Sequence, residues 1–222
     1  MRYQAADWQG YVQQIVNLMG HGYQDYCLVK LPMKKQAEWG TIDQRIAGKY
    51  CADLGKDKRY RRQLKGLANY AYLRWEDAAV ILRTNGEPLP TTDRFVSLHD
   101  KPLQVRVGES TVLKVVPASH KGRKVTVYLA KDKYREIKAG LLDNVRHRQL
   151  DVLHGAFSRL DGLPPYAGIV RQKAELVTAI VLEGKRHGLK LCRKDFPFRT
   201  KRRNKPVFAE DQCGQAQASA GT

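Results

Sequence analysis

NYAYLRWEDAAVILRT, residues 69–84, holds two runs of period-two residues on either side of an acidic pair. In the first run Tyr70, Tyr72 and Arg74 alternate with Ala71, Leu73 and Trp75. Successive side chains of a strand point to opposite faces, so each trio shares a face of a sheet. Glu76-Asp77 between the runs predicts a hairpin, and Asn85-Gly86 marks the next turn.

Outward from this hairpin the period changes. Upstream, Trp8, Val12, Ile15 and Met19 recur at helical spacing with Asp7 as a cap, and Gly20 and Gly22 end the segment. Residues 23–31 read as a strand, with Tyr23, Cys27, Val29 and Leu31 on one alternation and Pro32 closing it. A helix is predicted over 39–53, carrying Trp39, Ile42, Ile46 and Tyr50 on one face. A short basic helix follows over 57–68, with Tyr60, Leu64 and Leu67 expected inward and Lys58, Arg59, Arg61, Arg62 and Lys65 on its other faces.

Downstream, Val- and Leu-rich strands are predicted at 103–107, 111–116 and 124–129. The helical period returns from Asp132 through Tyr134, Ile137, Leu141 and Val145, then Leu150, Leu153, Phe157 and Leu160. A third helix after Pro164-Pro165 carries Ile169, Lys173, Leu176 and Ile180 and is expected to fray near Gly184. Strands in one block followed by helices in another predict an α+β fold, with a mixed sheet, N-terminal helices and a C-terminal helical block. The expected organisation is an α+β domain over 1–130 with a mostly antiparallel sheet, a helical extension over 131–190 on the same core, and a basic arm with a disordered tail over 191–222.

The charge is uneven. Forty Lys and Arg face 22 Asp and Glu, a net charge of +18, and such a field attracts phosphate backbones. Ten of those cations and one acid, Asp195, fall between Lys185 and Lys205. Clustering of this kind is not needed for solubility, and points to a surface that neutralises phosphates and releases their counterions. Within it Arg193, Lys194, Arg199, Lys201, Arg202, Arg203 and Lys205 are candidate contacts, with Phe196 and Phe198 either anchoring the arm or stacking on bases. The second cluster mixes cations with aromatics: Arg59, Arg61, Arg62 and Lys65, then Tyr70, Tyr72 and Arg74 on one strand face. An open face of that kind is a stacking platform; a covering helix turns the same tyrosines into core.

Motifs for chemistry are sparse. Cys27, Cys51, Cys192 and Cys213 form no Cys-x-x-Cys pair, against a zinc knuckle, and are too few for a disulfide scaffold. The six histidines make no His-x-His pair and no His-Glu-x-x-His helix. Tyr134 and Lys138 stand four apart on a predicted helix, the spacing of a phenol beside a cation, but Tyr134 also opens an apolar stripe that suits core packing. Asp25 has no acidic partner nearby in sequence, and Glu76-Asp77 lies on a turn where adjacent carboxylates seldom meet on one ion.

The expectation is therefore a nucleic-acid-binding protein, its partner DNA or RNA, that grips phosphates through the arm and the basic-aromatic surface. No cofactor is expected. A nuclease or strand-transfer enzyme of a mobile element or phage, with magnesium as its ion, is the alternative enzyme class. A protein-interaction module in a ribonucleoprotein or other acidic assembly is the third. No apolar run approaches the roughly 20 residues of a membrane-spanning helix, so the expected setting is cytoplasmic, or nuclear in a eukaryotic host.

Overall fold

The computed structural model describes residues 3–108, 111–117, 125–201 and 205–208. It shows an α+β fold divided into two compact units, one of residues 1–103, 117–125 and 205–222, the other of residues 104–116 and 126–204. Strand residues 104–107, 111–116 and 126–129 fall in the second unit.

The first unit starts with α1 (Trp8–Gly20), whose first turn is capped by Asp7 accepting from the Gly10 N–H at 2.6 Å. β1 (Tyr23–Lys30), α2 (Trp39–Lys49) and α3 (Lys56–Leu64) follow, then β2 (Tyr70–Trp75), β3 (Ala78–Thr84) and the two-residue β4 (Val96–Ser97). The strands form one sheet in the order β2-β3-β1-β4. β2 and β3 are the predicted hairpin, with Tyr70 opposite Arg83 and Trp75 opposite Ala78. β1 runs antiparallel to β3 and β4, with Asp25 opposite both Arg83 and Ser97.

Both sides of β2 are covered. Tyr70 and Tyr72 are buried with Trp39, Ala47 and Tyr50 of the α2 region, while Trp75 lies against Tyr11 of α1, ring centroids 6.4 Å apart. Each such large side chain buried contributes about 1.5–3 kcal/mol, so this hairpin is the centre of the unit's stability.

The second unit holds a three-stranded sheet, β5 (Leu103–Val107), β6 (Thr111–Pro117) and β7 (Val125–Leu129), in that order. Only the end residues Leu103, Pro117 and Val125 fall outside the unit. Three helices follow: α4 (Lys131–Arg146), α5 (Leu150–Ser158) and α6 (Ala167–Arg186). Their shared core is Leu141, Val145, Leu153, Phe157, Leu160, Leu176, Val177 and Ile180. α6 is fixed to β7 at close range, since a Cβ on Gly168 would stand 2.3 Å from the Val127 carbonyl oxygen. Gln172 adds a second tie, its amide accepting from the Leu129 N–H and donating to the Leu129 carbonyl.

The end of α6 differs from the sequence reading. α6 continues past Gly184 to Arg186 because Gly184 is itself packed, with Leu191 side-chain atoms 2.9 Å from where a Cβ would sit. The predicted fraying point is thus a contact point. Among the described residues no helix is long and apolar enough to cross a membrane. The expected disordered tail, from 209 onward, lies outside the described residues.

Candidate nucleic-acid interface

α3 has the sequence KDKRYRRQL and buries none of its residues. The segment 56–65 carries six cations and one acid, Asp57. Backbone bonds at both ends seat it. Arg59 Nη2 donates to the Ala52 carbonyl at 2.7 Å and Arg62 Nη2 to the Ala68 carbonyl at 2.9 Å. Asn69 Nδ2 donates to the Arg59 carbonyl at 2.9 Å. Beyond the helix, Gly66 and Ala68 exchange hydrogen bonds with Glu87. That close passage needs Gly86, which has φ +126° and whose Cβ, if present, would lie 2.7 Å from the Gly66 oxygen.

This seating overturns the expected orientation of α3. Tyr60 and Leu64, expected inward, are 61% and 69% exposed, and the inward positions belong to Arg59 and Arg62. The reason is chemical: the carbonyls of Ala52 and Ala68 need donors, which an apolar side chain does not supply. Leu67 alone of the expected apolar trio is half-buried. The outward face therefore presents Tyr60 and Leu64 among Lys56, Lys58, Arg61 and Lys65, all exposed. Among the described residues none of these four cations joins an ion pair with a carboxylate.

The open stacking platform on β2 does not exist, because α2 covers it. Tyr70, Tyr72 and Arg74 are all buried. The Tyr70 hydroxyl is taken up within the protein, accepting from the Leu89 N–H. Arg74 Nε donates to both Asp43 carboxylate oxygens at 2.9 Å, and Tyr72 donates to Asp43 Oδ1 at 2.7 Å. The remaining guanidinium nitrogens reach the Glu76 carbonyl and Gln4 Oε1, and the group lies 5.2 Å above the Trp39 ring. Burial, with the neighbouring Asp43 carboxylate, pushes the Tyr72 phenol far above its ordinary range. Asp43, Arg74, Trp39 and Gln4 of this cluster line a cavity of about 970 Å³, but the Asp43 and Arg74 charges are already matched to one another.

A second cavity of about 570 Å³ adjoins α3, between the end of α1 and the end of β3. Its lining includes His21, Lys56, Arg59, Tyr60, Gln63 and Asn69, and contains no carboxylate.

In the second unit, the basic C-terminal segment is anchored rather than loose over its first part. Phe196 is buried, stacked on His154 at 4.8 Å and edge-on to Phe157. Phe198 packs on Phe157 and lies 6.0 Å from Lys173 Nζ. Asp161 accepts from Lys173 Nζ and from the Arg199 N–H, fixing the chain there. The two phenylalanines are thus anchors and not base-stacking rings. Arg193, Lys194, Arg199 and Lys201 are exposed around them. Arg202 and Arg203 lie outside the described residues. Lys205 belongs to the first unit, where its ammonium approaches Asp7 Oδ2 at 3.4 Å and its backbone meets Gln13.

The residues weighed for chemistry are occupied elsewhere. Tyr134 donates to Glu175 at 3.4 Å, and burial together with that carboxylate raises its phenol, the opposite of what an activated nucleophile requires. Lys138 is half-buried on the same helix. Asp25 is tied to Arg83 at 2.7 Å across the β1–β3 pair, and Asp77 to Lys30 at 3.5 Å. Among the described residues no three His, Cys, Asp or Glu side chains gather as a metal-holding group.

No family model matches the chain, and no curated protein or solved structure matches it either.

Proposed function

We propose that this protein binds nucleic acid, DNA or RNA, and grips the phosphate backbone with the outward face of α3. The single observation that carries this reading is a helix with no buried residue that shows Tyr60 and Leu64 to solvent among four cations without a carboxylate partner among the described residues. Stability does not ask for that arrangement: apolar side chains left in water add nothing to a core, and like charges on one face repel. A polyanion resolves both. Phosphates take the cations and release counterions, and a base or sugar covers the ring.

The basic segment of the second unit is a separate source of phosphate contacts in this reading, through Arg193, Lys194, Arg199 and Lys201 with Arg202 and Arg203 following in sequence. Its aromatic residues serve the fold, so it contributes charge alone.

Fluorescence anisotropy of a labelled oligonucleotide across a salt series tests the proposal. Affinity falls steeply with salt, and replacing Lys58, Arg61 and Lys65 by Gln lowers the slope of log affinity against log salt by about 2 for a single strand. A flat salt response sinks the reading.

A further inference from the structure

Asn69 and Arg59 both line the cavity beside α3, and each carries one buried atom with no hydrogen-bond partner among the described residues: Asn69 Oδ1 and Arg59 Nε. Their other polar groups are engaged. Asn69 Nδ2 donates to the Arg59 carbonyl and its backbone N–H to Thr84 Oγ1. The terminal nitrogens of Arg59 donate to the Ala52 carbonyl and the Tyr23 hydroxyl. Turning the Asn69 amide over would set Oδ1 against the Arg59 carbonyl, acceptor against acceptor, so its orientation is fixed by this contact. Asn69 is 6% exposed. A buried acceptor and a buried donor left unmet at one cavity are costly, and native structures hold few of them.

We infer that this cavity takes one unpaired nucleobase of a single-stranded nucleic acid, its ring against Tyr60 and its hydrogen-bonding edge toward Asn69 Oδ1 and Arg59 Nε. The inference rests on the nucleic-acid reading above and adds the strand class and the point of base entry. An acceptor and a donor together match the edge of any of the common bases, each of which sets a donor next to an acceptor, and that edge is free only when the base is unpaired. Tyr60 supplies a sequence-tolerant face for stacking. Lys56 is placed on the same lining for the adjoining phosphate, and the absence of a carboxylate from that lining keeps the approach free of repulsion. Both unmet atoms are shielded from solvent, so entry of the base requires local movement of the lining side chains.

The test compares four probes of equal length at one salt concentration: a mixed-sequence single strand, the same strand with abasic sites throughout, its duplex, and the RNA version of the single strand. The single strands are expected to bind about tenfold tighter than the abasic strand, with the duplex weaker as well. Tyr60→Ala removes that margin while Tyr60→Phe keeps it, and neither touches the core because the ring is exposed. Equal binding of natural and abasic strands, or of duplex and single strand, overturns the base site and leaves the phosphate-binding face standing. No binding of any probe overturns the functional reading itself. A margin that survives Tyr60→Ala also overturns the site, since the bases are then being read elsewhere.

Discussion

β2 and α3 are made of nearly the same materials. Each sets tyrosine beside arginine, Tyr72 and Arg74 on the strand, Tyr60 and Arg61 on the helix, and their fates are opposite. On β2 the guanidinium is buried, bonded through Nε to both oxygens of Asp43 and stacked over Trp39. On α3 Arg61 and the outward Lys58 and Lys65 stand in water, and among the described residues none of them has a carboxylate partner. The tyrosine–arginine pairing is shared; on β2 it meets one carboxylate on α2 and one covering helix. A cation is available to a partner only where the fold has not already supplied it with an acid.

The sharpest way to break this comparison is to remove that acid. Asp43→Ala leaves the Arg74 charge buried beside a Tyr72 hydroxyl that has lost its acceptor. The expected loss is about 3–5 kcal/mol, the penalty for an uncompensated buried charge. A urea midpoint unchanged from the parent would show that the pair is not what holds β2 closed. Replacing Arg74 by Met in the Asp43→Ala background should recover part of the loss, because a buried pair is worth less than the cost of breaking one side of it.

In the second unit the corresponding contrast lies within one short segment. Phe196 is buried against His154 and Phe157, while Arg193 and Lys194 beside it are exposed. Phe196→Ala should cost about 3 kcal/mol, and Lys194→Ala should change stability by no more than about 0.5 kcal/mol. Thermal unfolding of the two variants separates an anchored segment from a free arm: equal melting temperatures would mean the phenylalanine anchors nothing.

These outcomes bear on what the residues announced in advance. The hairpin was legible because alternation and an acidic two-residue turn coincide at 70–84, and α1 because Asp7 stands where a cap is needed. β4 was not, since two residues give no period. The orientation of α3 was misread for a physical reason: apolar spacing argues for Tyr60 and Leu64 inward, but nothing in the spacing reveals that two carbonyls, of Ala52 and Ala68, wait for arginine donors. The same blindness hid Asp43. An acid thirty-one residues from Arg74 carries no local signal, so an open platform and a covered strand read alike. Asn69 and Arg59 as residues with unmet atoms were beyond reach as well, because the loss of a partner is a property of packing.

A smaller effect follows from Asp161 in the second unit. Burial acts to raise its carboxyl, but the bonds from Lys173 Nζ and the Arg199 N–H outweigh it, and the net shift is downward. A depressed folded value contributes stability above the ordinary aspartate range, and that contribution is lost as pH falls through the folded value. With the Asp161 side chain 31% exposed, the effect is held under about 1 kcal/mol by solvent. Urea midpoints from pH 5 down to pH 2 should therefore fall more for the parent than for Asp161→Asn, the two curves converging in acid. Parallel curves would remove Asp161 from the account of how residues 196–199 are tied down.

The smallest expected change in stability is also the one that decides between the two regions. Lys58, Arg61 and Lys65 face water on α3, whereas Arg59 and Arg62 on the same helix donate to the backbone. Changing the outward three to Gln should leave unfolding within about 0.5 kcal/mol of the parent, with relief of like-charge repulsion favouring the variant, while oligonucleotide affinity drops. Changing Arg59 or Arg62 to Gln removes one charge instead of three, yet each should lose about 1 kcal/mol because a backbone acceptor is stripped of its donor. If the triple variant unfolds earlier and binds as before, the outward cations serve the fold and the inward pair no longer differs from them. If stability and affinity separate as described, the division of one helix between structure and binding follows from which carbonyls lay beneath it.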